Sequence, residues 1–85
     1  MRKVLYLLNR ETERFSAELL AKERPDCTVS VVLLQDAVRL SHVPASRVFA
    51  LSEDVASRKV ASPFPSISYS DLVEMIFDAD TVVAL

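Results

Sequence analysis

The 85-residue sequence predicts an α/β domain of three layers, α/β/α, on a mostly parallel sheet of four or five strands. Three observations predict it. Short apolar runs alternate with polar-headed stretches of helical pattern along the chain, the order of βαβ units. The run 28–34 is rich in valine and almost continuously apolar, as in a strand covered on both faces. Residues that start helices, with acids behind them, follow the runs directly.

The elements follow in order. Residues 3–8 form an apolar run with β-branched and aromatic members, a first strand. Asn9 opens a polar break and can cap a helix whose first turn holds Glu11 and Glu13. Phe15, Leu19 and Leu20 give that helix an apolar stripe, and Pro25 stops it. The second strand is 28–34. Asp36 is placed to cap a short helix reaching Leu40. Residues 47–51 form a third strand, and Ser52 caps a helix over 53–58. Pro63 and Pro65 make 61–65 a loop, because proline removes donors and fixes φ. Residues 66–68 are a short fourth strand. Ser70 caps a last helix with Leu72, Val73, Ile76 and Phe77 along one face, and 81–85 is the fifth strand. The length makes one domain, 1–85, with no repeat or linker.

Composition excludes several functions. The sequence has no glycine, so neither a GxGxxG turn nor a P-loop can form. The ten basic residues are scattered over a net charge of −2, without the basic stripe that direct nucleic-acid binding uses. No apolar run is long enough to span a bilayer. The start, Met1-Arg2-Lys3 followed by apolar residues, resembles the opening of a signal peptide, but Asn9, Arg10 and Glu11 end it early, and it reads as a strand. One cysteine excludes an internal disulfide and fits a reducing cytoplasm. A hydrophobic content of 51 % with mean hydropathy +0.24 is high for a small monomer; it fits either a well-filled core or, the preferred reading, a surface partly covered by another subunit.

In an open parallel sheet ligands bind at the carboxyl ends of the strands. Those ends carry Asn9, Gln35, Asp36, Ser52, Glu53, Asp54, Tyr69, Ser70 and Asp71. Two readings stand side by side. As N-caps, Asp36, Ser52 and Ser70 each stabilise a helix by about 1 kcal/mol. As a group, the nine residues form a polar groove or interface at one edge. A receiver-type Mg²⁺ site needs acids after the first strand, where this chain has Asn9. Cys27 is the one thiol that could carry a persulfide. It precedes the second strand, at the amino end of the sheet, about 25–30 Å from Asp36 if the chain between them is extended. Asp26 precedes it and Arg24 stands three positions before it, so charges of opposite sign flank the thiol in the sequence. His42, the single histidine, has no neighbour with metal-ligand spacing and reads as a surface residue. Tyr6, Phe49 and Tyr69 read as core, whereas Met75 and Phe77 fit either core or contact surface.

Three segments resemble a known family. They are Val31-Val32-Leu33-Leu34-Gln35-Asp36-Ala37-Val38; Val48-Phe49-Ala50-Leu51-Ser52-Glu53-Asp54-Val55-Ala56-Ser57-Arg58; and Ile67-Ser68-Tyr69-Ser70-Asp71-Leu72-Val73. Together they are similar to the LLQDGV, VYAL-x-ED-x-x-AR-G and I-x-Y-x-DFV segments of DsrH/TusB proteins, in matching order and spacing. The resemblance implies a DsrE-like fold and a role in sulfur relay without catalysis or a cofactor. The implied partners are sibling chains of DsrE and DsrF (TusD and TusC) type, of which the DsrE or TusD chain supplies the main persulfide cysteine. The implied pathway is 2-thiolation of the tRNA wobble uridine or dissimilatory sulfur oxidation. The sequence departs from the family at three places. The first-helix cysteine of some DsrH chains is missing from Ser16-Ala17-Glu18-Leu19-Leu20-Ala21. Ala37 and Lys59 stand where the family has glycine, and Lys59 costs about 1 kcal/mol if it adopts a left-handed backbone. The alternatives are a homo-oligomeric sulfur carrier using Cys27, and a small-ligand binding module on the same fold.

Overall fold

The computed structural model describes residues 2–9, 27–43, 45 and 47–84. The helix expected between Asn9 and Arg24 lies outside them. The described chain runs β1 (Arg2–Leu8), β2 (Cys27–Leu33), a 3₁₀ helix (Gln35–Arg39), β3 (Arg47–Leu51), α1 (Ser52–Ser57), β4 (Ser66–Ile67), α2 (Tyr69–Asp78) and β5 (Thr81–Ala84). All strand pairings are parallel, in the order β4-β3-β2-β1-β5. The predicted α/β class and parallel sheet are the observed ones, and the strand positions agree within a residue or two.

The order explains the layers. Three successive crossovers step from β1 to β4 in one direction, and the last returns across the sheet to β5. Right-handed crossovers put opposite steps on opposite faces. The 3₁₀ helix and α1 accordingly pack on one face, where Ala37, Val38 and Val55 join Val4, Tyr6, Leu8, Val29, Val31 and Leu33. On the other face α2 sets Leu72, Met75 and Ala79 against Leu5, Val32 and Leu51. Val31, Val32 and Leu33 are fully buried, because β2 has a strand on each side and packing on both faces. The edge strands are short: β4 has two residues and β5 four.

Three helix starts differ from the sequence expectation. Leu34 is the N-cap of the 3₁₀ helix, so Asp36 lies in its first turn and does not cap it. Leu51 is the N-cap of α1, without a side-chain bond, so Ser52 is already helical. Ser68, not Ser70, caps α2: its hydroxyl accepts the Asp71 N–H, and the Asp71 carboxylate accepts the Ser68 N–H. The capping box prevails because it satisfies two donors that a cap at Ser70 would leave open.

The apolar face expected on the last helix is split. Leu72 is buried, but Val73 is 47 % exposed and Phe77 84 % exposed. The residues that meet the sheet are Leu72, Met75 and Ala79, and at about 100° per residue Val73 and Phe77 point well away from them. Tyr6 is core as expected, Phe49 is partly buried, and Tyr69 is exposed.

Candidate functional site

The carboxyl rim of β2 and β3 draws several predicted residues together. Gln35 turns the chain out of β2 with a left-handed backbone, φ 49°. Such a conformation costs a non-glycine residue about 1 kcal/mol. Asp54, in the first turn of α1, offsets it: its Oδ2 accepts the Gln35 N–H at 2.8 Å. Its Oδ1 accepts from an Arg58 guanidinium nitrogen at 3.5 Å. Arg58 Nε donates to Asp36 Oδ1 at 3.0 Å. Gln35, Asp36, Asp54 and Arg58 are thus one network joining the 3₁₀ helix to α1. Both Asp54 oxygens are taken by donors of the chain itself, one tying the turn after β2 to α1 and the other holding Arg58 one helical turn on.

The other candidates stand apart from the network. Glu53 is exposed and Ser52 half-buried, with their backbone in α1. Tyr69, Ser70 and Asp71 open α2 beyond β4, and Asp71 is engaged in the capping box. Asn9 is exposed after β1. β1 and β4 are three strand positions apart, about 14 Å. The strand order reverses between β1 and β5, where open α/β sheets place their ligand crevice. Of the nine rim candidates, Asn9 alone follows one of those two strands.

Cys27 is the first residue of β2, partly buried and in register with Arg2. The seven residues of β2 put it about 20 Å from the carboxyl-rim network. That is shorter than the extended-chain figure, because β2 stops at Leu33 and Gln35 turns the chain. Arg24 and Asp26 lie outside the described residues. His42 is exposed.

Sequence reasoning missed two features. Arg58 was in view as a motif residue but not as a site residue, although its i,i+4 spacing from Asp54 is the signal for such a pair. The second is the amino rim, where a cavity of about 110 Å³ opens between the end of α2 and the starts of β1 to β3. Lys3, Thr28, Ser30, Arg47 and Asp78 line it. Its only trace in the sequence is Thr28 and Ser30, two hydroxyls that interrupt the apolar pattern of β2. Nearby, Lys3 Nζ meets Asp78 Oδ2 at 2.8 Å, and Asp80 ties β5 to β1 by accepting the Lys3 N–H and donating its own N–H to the Lys3 carbonyl.

The family departures have different outcomes. Ala37 is fully buried inside the 3₁₀ helix with an ordinary backbone, so this position needs no glycine. Lys59 does adopt the left-handed conformation, φ 53°. It ends α1 in a Schellman motif: the Lys59 N–H bonds the Ala56 carbonyl and the Val60 N–H bonds the Val55 carbonyl.

No protein-family model matches the chain, and no curated protein matches it. Among the described residues no helix is long and apolar enough to cross a membrane.

Proposed function

We propose that this chain is a non-catalytic subunit of a cytoplasmic sulfur-relay assembly of the DsrH/TusB type, working by contact with sibling DsrE- and DsrF-like chains. The support is the three-segment resemblance, carried by where its residues fall. The Gln35-Asp36 and Asp54…Arg58 portions meet in one network at the carboxyl rim, and that network braces the fold. The single observation that carries the non-catalytic role is the place of Cys27. The one thiol begins β2 at the opposite rim, about 20 Å from that network. A persulfide formed there would be remote from the network of Gln35, Asp36, Asp54 and Arg58.

The competing reading is a homo-oligomeric carrier using Cys27, and partial burial leaves some of that residue accessible. Cells lacking this chain, complemented with the native form or with Cys27→Ser, decide between them. The readouts are 2-thiouridine content of tRNA and the rate of sulfur oxidation. Deletion is expected to lower one readout, and Cys27→Ser to restore it in full. Loss of restoration in the serine variant would establish the carrier. Deletion without effect on either readout would remove the sulfur-relay reading.

A further inference from the structure

Helix α2 carries more apolar surface than its own sheet can cover. Leu72 is buried and Met75 packs beside it, but Tyr69 is 51 % exposed and Phe77 is more exposed still. Tyr69, Val73 and Phe77 are spaced i, i+4, i+8, so they form one ridge along the helix, with Ile76 beside it. Val82 of β5 is also exposed and pairs with Leu5, which places it on the sheet face that α2 covers. Scattered apolar residues need no explanation, but a contiguous ridge in so small a protein marks a contact surface.

The charges around the ridge select the occupant. Asp71, Glu74 and Asp78 lie on α2 and Asp80 follows it, while α2 contains no lysine, arginine or histidine. Among the described residues, Lys3 is the cation that bonds into this group, to Asp78 through its ammonium and to the Asp80 carboxylate through its N–H, while Asp71 accepts the Ser68 N–H. An antiparallel two-fold pairing of α2 with its own copy would bring the acidic flanks of both copies to the same side of the interface. Like charges facing across an interface oppose association. A lipid surface carrying anionic headgroups meets the same repulsion.

We infer that the outer face of α2, with Tyr69, Val73 and Phe77 as its ridge, docks an apolar strip of a different protein chain flanked by lysine or arginine. This deepens the subunit role proposed above and rests on it for the partner's identity. Burial of the ridge supplies the attraction, and the acidic flank sets partner choice.

The full-length chain is titrated with a synthetic amphipathic peptide bearing a leucine stripe flanked by lysines, and with its analogue carrying glutamate at those positions. Binding is read by fluorescence anisotropy and mapped by amide chemical shifts. The lysine peptide is expected to bind about tenfold tighter than the glutamate peptide, with shifts centred on 69–77. Phe77→Ser should weaken it about tenfold while leaving the remaining amide spectrum intact, because Phe77 packs outward. Glu74→Lys should erase most of the preference between the two peptides. Equal affinity for both peptides overturns the inference. So does self-association in sedimentation that Phe77→Ser abolishes, or binding to phosphatidylcholine vesicles in place of the peptide. The titration involves no sulfur chemistry. If it succeeds while deletion leaves thiolation and sulfur oxidation unchanged, the relay reading falls and the docking surface stands.

Discussion

The two rims of the sheet are held by different devices. At the carboxyl rim, Asp54 and Arg58 join elements close in sequence, and one carboxylate with a side chain 17 % exposed serves both a backbone amide and a guanidinium. At the amino rim, Asp78 and Asp80 join the first strand to the end of α2 and the start of β5, across 75 or more residues and in exposed surroundings. The carboxyl rim is a shielded brace around a left-handed turn. The amino rim is an open clasp, with a cavity and the thiol-bearing end of β2 on the same side. Residues that look most like a site by type are those most committed to structure, because a carboxylate that satisfies internal donors has little left to offer a ligand.

The sharpest way to break this comparison is Asp54→Ala. It leaves the Gln35 N–H without its acceptor and Arg58 with Asp36 and the Ser57 hydroxyl, and should destabilise the fold by about 2 kcal/mol, read as a lowered urea midpoint at unchanged slope. An effect no larger than that of the amino-rim variants would show that the two rims are alike. Asp80→Ala comes next. It removes the acceptor of the Lys3 N–H but keeps the reverse backbone bond, so a loss of about 1 kcal/mol is expected.

Gln35→Gly and Lys59→Gly sharpen the contrast from the other direction. Each relieves a left-handed non-glycine backbone and should raise stability by about 1 kcal/mol in the same urea titration. Unchanged or lowered stability would mean that no strain is held at these turns. The smallest effect belongs to Lys3→Ala. Its pair with Asp78 is exposed on both sides, so a change of about 0.5 kcal/mol or less is expected, fading in 1 M salt. A loss as large as that of Asp54→Ala would contradict the open-clasp description.

Strand positions were legible because burial on both faces demands apolar runs, which residues 4–8 of β1 and 31–33 of β2 supply. The helix over 52–57 was legible from its acidic first turn. The cap of α2 was misplaced by two residues, since Ser68 and Ser70 are both suitable types and only the reciprocal bond with Asp71 separates them. The Schellman end of α1 was anticipated at Lys59 as a conditional cost, and the carbonyls it satisfies are in the structure. The amino-rim cavity was invisible because it is assembled from four elements whose order in the sheet no local pattern encodes.

The amino-acid sequence by itself determined the α/β alternation, the buried central strands and the exclusion of glycine-dependent phosphate loops, since these depend on residue type and local period. Tertiary structure alone decided the strand order, the meeting of Gln35, Asp36, Asp54 and Arg58, and which side of α2 faces solvent. The physical reason is common to all three. An apolar arc wider than one sheet can cover announces hydrophobicity without direction, and groups 19 to 77 residues apart become partners only when chain crossovers place them side by side.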